Sequence, residues 1–143
     1  MTLSERINRL EKGPFWELLG LKVVSAQDGK AVLTLEVKKK HLQLYGIIHG
    51  GALAAIIDGA IGAAVQSSLH EDEASTTVDL HVMYDKPAKE GALTAHANLT
   101  RRGKTIIFGE CRIEDNKKQL IAHGTATYMV LDHKRWSRKK PSE

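Results

Sequence analysis

Asp58 is the residue best placed for chemistry, because it stands alone in a long apolar segment. From Ala52 to Val65, all residues except Asp58 are Ala, Gly, Leu, Ile or Val. An ionised carboxylate is disfavoured among such side chains unless it is paired, hydrogen-bonded or open to a cavity. In a cavity it would serve as a base or a nucleophile. The alternative is a structural carboxylate that accepts hydrogen bonds from Thr76 or Thr77, at the start of the next predicted strand.

A second group of polar and glycine residues precedes this segment. It contains Gln43, Gly46 and the run His49-Gly50-Gly51. If a helix begins here, its first amide N–H groups are free and favour an anion or a developing oxyanion. The two glycines leave these amides open to a ligand, with His49 and Gln43 as further candidate donors. The alternatives are a histidine that only caps the helix and glycines that only allow close packing.

His49 and Asp58 are too far apart to act on one carbonyl carbon from the same chain. Nine residues of helix separate them by about 13 Å, whereas reacting groups must approach to roughly 3–3.5 Å. If both act on one substrate, they come from two copies of the chain. The spacing thus suggests a two-fold dimer with two equivalent sites. Whether two dimers join into a tetramer stays open.

The elements that must position these residues are one long helix and an antiparallel sheet. Residues 49–65 predict a helix that is apolar, and therefore buried, on every side, wrapped by a curved sheet. A hairpin turn at Asp28-Gly29 joins the first two predicted strands. Four later strands alternate apolar and polar residues, and their short turns predict an antiparallel meander of neighbours. The predicted strands are 21–25, 31–38, 77–85, 93–100, 105–114 and 120–131, which gives an α+β fold with five or six strands.

Length and charge limit the class of protein. The chain has 143 residues and 42% hydrophobic residues, which is typical of one globular domain. We expect a helical segment over residues 1–20, the main domain over 21–132 and a basic tail over 133–143. That tail holds five of the 21 Lys and Arg residues, and it either contacts phosphates or is simply solvated. No signal peptide or membrane span is recognisable, so a cytoplasmic protein is expected.

The sequence resembles the hotdog-fold acyl-CoA thioesterases of the phenylacetate-degradation (PaaI-like) group. The resemblance is carried by Gln43, Gly46 and His49-Gly50-Gly51 with Asp58 at its fixed distance. It extends from Leu19 to Ala126 and therefore covers most of the chain. It implies a hotdog fold, in which the sheet wraps one long central helix, and hydrolysis of an acyl-CoA to a free acid and coenzyme A. It implies no cofactor besides the substrate's own coenzyme A. No metal is expected either, because His81, His96 and His123 lack metal-ligand spacing and the chain has one cysteine.

The resemblance also assigns roles to individual residues. It implies that the Gly50 amide binds the thioester oxygen and that Asp58 of the partner helix attacks the carbonyl or activates water. It implies that Thr77 assists near the water. Gln43 stands where the family usually has Asn, and its amide lies one methylene further from the backbone.

Coenzyme A carries phosphates, so basic residues at a strand turn are candidates to bind it. The turn Arg101-Arg102-Gly103-Lys104 lies where the family's nucleotide contacts often lie, and Lys86 and the basic tail are lesser candidates. The alternative is an ordinary charged hairpin tip.

Two other functions stay open at this point. The first is a non-catalytic acyl-CoA-binding regulator, although no DNA-binding segment is recognisable and a nucleic-acid partner is not expected. The second is a hydratase of the same fold, which usually has a proline near the helix start, where this chain has none.

Overall fold

The computed structural model describes residues 1–137 as a curved six-stranded sheet around one long helix. Two short helices precede the sheet, and a short helix follows it. In chain order the elements are α1 (Leu3–Glu11), α2 (Pro14–Leu19), β1 (Lys22–Gln27), β2 (Lys30–Glu36), α3 (Gly50–Gln66), β3 (Glu73–Tyr84), β4 (Ala92–Arg102), β5 (Ile106–Glu114), β6 (Leu120–Asp132) and α4 (His133–Ser137). A single 3-10 turn, Lys39–His41, lies between β2 and α3.

Alternating side chains explain why the sheet covers the helix. In β2, Ala31, Leu33 and Leu35 are buried while the residues between them are not. All six strands contact α3, and β4 and β5 show the same alternation of buried and less buried residues. The hairpin between β1 and β2 turns at Asp28 and Gly29, whose φ angles are 51° and 75°. These positive φ values confirm the turn predicted from the Asp-Gly pair.

The predicted meander is wrong in one pairing, although all strands are antiparallel. The strand order is β1-β2-β4-β5-β6-β3, so β3 pairs with β6 at the far edge rather than with β4. Seven residues, 85–91, join β3 to β4. They can reach about 23 Å, whereas three strand spacings need about 14 Å. The connection therefore crosses the end of the sheet, where Ala88 O accepts from Ile48 N–H at 2.7 Å.

The central helix is also less buried than its composition predicted. Eight of the 17 residues of α3 are buried, and a stripe that includes Ala55, Asp58, Gly62 and Gln66 is only half-buried. The sheet covers the other sides, and α1 and α2 cover this stripe incompletely. The small residues of the stripe therefore face a cleft rather than the core.

The basic tail predicted for residues 133–143 falls mostly outside the described residues, which end at Ser137. Its first five residues form α4. None of the helices in the described range is long and apolar enough to cross a bilayer.

Candidate active site

Asp58 lies in the middle of α3 and accepts two side-chain hydrogen bonds on one carboxylate oxygen. The Thr77 hydroxyl donates to Oδ1 at 3.0 Å, and the Tyr128 hydroxyl lies 2.6 Å from the same atom. Thr77 belongs to β3 and Tyr128 to β6, the two paired strands that face this part of the helix. The hydrogen bond that the sequence analysis gave as the structural alternative for Asp58 is thus present, with Thr77 as the donor.

Tyr128 was missed by the sequence analysis. Its side chain is 6% exposed and belongs to the inward face of β6. Burial, and then the negative charge of Asp58, raise the pKa of Tyr128, so its hydroxyl keeps its proton. The available signal was the inward position of a tyrosine opposite an apolar helix, because a buried phenol needs a polar partner.

A cleft of about 280 Å³ opens beside Asp58. One wall is apolar and comes from the N-terminal helices, with Leu10, Phe15 and Trp16 among its residues. The opposite wall comes from α3 and from the start of β3, where residues 75–77 are Ser or Thr. Asp58 is the one charged side chain among the described residues that line it. The Asp58 cleft can therefore hold an uncharged, apolar group next to a carboxylate.

The start of α3 presents one free amide. His49 caps the helix: its Nδ1 accepts from Gly51 N–H at 2.8 Å. Its carbonyl oxygen accepts from Ala52 N–H and Leu53 N–H. In the described part of the chain, Gly50 N–H has no hydrogen-bond partner. The capping role that the sequence left open for His49 is thus present, and it leaves Nε2 to carry the ring proton.

A second cleft, of about 360 Å³, opens in front of this helix start. Gln43, Gly50, Tyr84 and Lys86 are among the residues that line it. The Tyr84 hydroxyl donates to Gly50 O at 3.0 Å, and a Cβ on Gly50 would lie 3.1 Å from Cζ of Tyr84. Tyr84 was also missed from the sequence. The Gln43 side chain accepts from Tyr45 N–H and thereby holds the loop before the helix.

The two clefts are separate within one chain. They share no lining residue, and eight residues of helix place Gly50 about 12 Å from Asp58. One chain therefore brings together Asp58, Thr77 and Tyr128, and separately Gln43, His49 and Gly50, but not the two groups.

The residues expected to bind coenzyme A are not equally available. Arg102 pairs with Glu73, and its guanidinium also donates to Ser68 O at 3.4 Å. Gly103 N–H donates to Ile106 O at 3.0 Å and closes the turn. Arg101 and Lys104 are exposed. Only these two present free positive charge at the turn, whereas the Arg102 guanidinium is already engaged within the chain.

The described residues contain no group of three or more His, Cys, Asp or Glu side chains that could hold a metal ion.

Comparison with known proteins defines the class to which this fold and site belong. Residues 45–122 match the model of the Thioesterase superfamily. The chain is 30% identical over 132 residues to acyl-coenzyme A thioesterase 13 of Homo sapiens, covering 88% of this chain and 92% of the relative. It is 29% identical over 114 residues to 1,4-dihydroxy-2-naphthoyl-CoA hydrolase of Listeria monocytogenes, covering 80% and 93%.

The fold agrees with a solved thioesterase. HI1161 of Haemophilus influenzae superimposes with a TM-score of 0.84 at 22% identity, covering 93% of this chain and 92% of that one. The chain therefore belongs to the Thioesterase superfamily and has the hotdog fold expected from its sequence. It is a thioester hydrolase.

Proposed function

We propose that the protein hydrolyses aryl- or short- to medium-chain acyl-CoA thioesters to the free acid and coenzyme A, as a member of the PaaI-like group. The observation that carries this proposal is the pairing of two groups on α3. Asp58 supplies a carboxylate in an apolar cleft, and Gly50 supplies an unpartnered N–H at the helix start. These are the base or nucleophile and the oxyanion donor that attack on a thioester requires.

The chemistry needs no further strong acid. The Gly50 N–H polarises the carbonyl oxygen, and Asp58 either attacks the carbonyl carbon or removes a proton from the attacking water. The Thr77 hydroxyl assists near that water. A thiolate is a weak base, with a thiol pKa of about 8.5 in the cysteine model, so it leaves without a dedicated proton donor. If Asp58 attacks, the C–S bond breaks, coenzyme A leaves and an acyl anhydride remains on Asp58, which water then hydrolyses to the free acid. If water attacks, the free acid and coenzyme A form directly.

We propose that each site is shared between two copies of the chain, because the two groups lie about 12 Å apart on one helix. The free edge of β3 supports this arrangement, since an edge strand offers unpaired backbone groups to a second strand. A two-fold axis between Leu80 and His81 would set Thr77 opposite the partner's Tyr84. The same axis would set Val78 opposite Met83, which are 53% and 60% exposed. That register would bring Asp58 of one copy towards Gly50 of the other.

We assign contact with the coenzyme A phosphates to Arg101 and Lys104, since their charge is not engaged within the chain. Arg102 and Gly103 then shape the turn that presents them. Lys86 lies in the cleft at the helix start, where its Nζ donates to Gln119 Oε1. It is the lesser candidate, because it precedes β4 whereas the turn with Arg101 and Lys104 follows β4.

Release of free thiol from a panel of acyl-CoAs tests the proposed function. The wild type should release coenzyme A, and Asp58→Asn should lower kcat by roughly 10²–10⁴-fold without loss of the fold. Asp72→Asn is the matched control, because Asp72 is exposed in the turn before β3 and lies outside both clefts. Calorimetric binding of acyl-CoA without any thiol release by the wild type would instead favour the non-catalytic regulator.

A further inference from the structure

Tyr128 contacts only one of the two carboxylate oxygens of Asp58. Its hydroxyl and that of Thr77 both meet Oδ1, whereas Oδ2 has no hydrogen-bond partner within the described residues. No buried side-chain oxygen or nitrogen there lacks a partner, so Oδ2 is open to the cleft. The carboxylate thus has one oxygen held by the fold and one presented to the Asp58 cleft.

The contact has the geometry of a strong hydrogen bond. The 2.6 Å separation between Tyr128 Oη and Oδ1 falls within the range of a hydroxyl that donates to an ionised carboxylate. The same hydroxyl lies 2.8 Å from the backbone oxygen of Asp58. A phenol has a single proton, and the charged oxygen is the stronger acceptor, so the bond to Oδ1 prevails.

Gly62 makes room for this hydroxyl. It follows Asp58 by one helical turn, and a Cβ at position 62 would lie 2.9 Å from Tyr128 Oη. That separation is too short for any side chain, even alanine. The same Cβ would lie 3.6 Å from Tyr128 Cζ, which is an ordinary contact. The steric conflict therefore concerns the hydroxyl oxygen alone, and Gly62 is present where a helix would otherwise favour alanine.

We propose that Tyr128, seated on Gly62, is a positioning residue that fixes the Asp58 carboxylate with Oδ2 towards the substrate. This inference rests on the proposed function of Asp58 and deepens it. Tyr128 lies outside residues 45–122, the part of the chain that the family model matches. Two hydroxyls from neighbouring strands restrict rotation of the carboxylate, and a reacting group that is misplaced by about 1 Å can lose roughly 100-fold in rate.

Two independent substitutions remove the same hydrogen bond, and this makes the proposal testable. Tyr128→Phe deletes the hydroxyl, and Gly62→Ala displaces it. Each should lower kcat for an acyl-CoA by roughly ten- to hundredfold. Tyr128→Phe should also keep KM within about threefold, because it leaves the presented oxygen in place and adds no atom to the cleft. Tyr45→Phe is the control, since Tyr45 is 81% exposed and its ring lies in neither cleft.

The double variant, Tyr128→Phe with Gly62→Ala, shows whether the two substitutions lower activity through the same hydrogen bond or through separate effects on the fold. Once Tyr128→Phe has removed the oxygen, Gly62→Ala should cost no further activity, so the double variant should match Tyr128→Phe. Effects that multiply, or a Tyr128→Phe enzyme with the kcat of the wild type, would overturn the proposal. Melting temperatures of all four proteins show whether a variant has lost activity only by unfolding.

Failure of the underlying function gives a different result. If Asp58 is not the catalytic group, Asp58→Asn keeps its activity or the wild type has none. If only the role of Tyr128 is wrong, the wild type is active, Asp58→Asn is inactive and Tyr128→Phe is unaffected.

Discussion

The two hydroxyls that contact Oδ1 of Asp58, those of Thr77 and Tyr128, differ in their exposure to solvent. Thr77 is exposed at the edge strand, where water or a second chain can reach it. Tyr128 is buried beneath the helix and has fewer alternative partners. A buried donor is costly to leave unpaired, so the fold itself favours its bond to Asp58. The orientation of this carboxylate is therefore set mainly from the core side.

Substitutions of Gly50 test the proposed oxyanion donor. Gly50→Pro removes the N–H at the first helical position, where proline is tolerated, and the extended backbone of His49 is compatible with a following proline. We expect kcat to fall by roughly 10²–10³-fold, the usual effect of losing one oxyanion donor. The measurement is steady-state release of coenzyme A.

Gly50→Ala is the matched control for that experiment. It adds a Cβ at the same place, about as close to the Tyr84 ring, but it keeps the N–H. It should retain most of the activity that proline removes. Equal losses in the two variants would assign the effect to crowding of Tyr84 and not to the amide.

Cys111 gives a prediction that depends on pH. Burial raises the pKa of this thiol from 9.0 to about 12 in the folded chain. A pKa raised by folding adds stability below the unfolded pKa, and that stability is lost as the pH rises from about 9 to about 12. Near pH 8 the native thiol should react slowly with an aromatic disulfide reagent and at once after unfolding in guanidinium. Rapid labelling of the native protein at that pH would show that the thiol is accessible.

At the scale of elements, the sequence predicted periodicity and the hairpin neighbours correctly, but not the long-range partner of β3. The hairpin at Asp28-Gly29, the long helix and the later strands follow from local patterns that the structure confirms, with small shifts at their ends. The pairing of β3 with β6 does not follow, because alternation shows which face is buried and not which strand lies alongside. The same limit hid Tyr128, which reaches Asp58 across 70 positions of sequence.

Substitutions in the turn between β4 and β5 should affect substrate binding at some positions and the stability of the fold at another. Arg101→Ala and Lys104→Ala should raise KM for acyl-CoA, more so at low salt, and leave kcat unchanged, because exposed cations act on phosphates over a screened distance. Arg102→Ala should instead lower the free energy of unfolding by roughly 1–3 kcal/mol, since it leaves the partly buried Glu73 carboxylate with only the His70 N–H as a donor. Chemical denaturation and substrate titration measure the two effects. A raised KM in Arg102→Ala alone would return that residue to the binding site.

At the scale of the whole molecule, a single chain carries both the Asp58 carboxylate and the Gly50 N–H but holds them in separate clefts. The apolar Asp58 cleft and the cleft at the helix start lie along the same helix without joining. The strand that ends the sheet beside them is β3, and it carries Val78, Met83 and Tyr84 as exposed large side chains. An apolar free edge next to two incomplete clefts is the arrangement that a two-fold partner would complete.

Mixed dimers decide whether the site is shared. Asp58→Asn and Gly50→Pro each inactivate both sites of their own dimer, but a dimer with one subunit of each type keeps one intact site. If subunits reassort at random from equal amounts, half of the dimers are mixed, so activity should recover to about a quarter of the wild-type value. Differently tagged chains, denatured together and refolded, allow the mixed species to be isolated and assayed. If one chain carried a whole site, every subunit in the mixture would be defective and no activity would return.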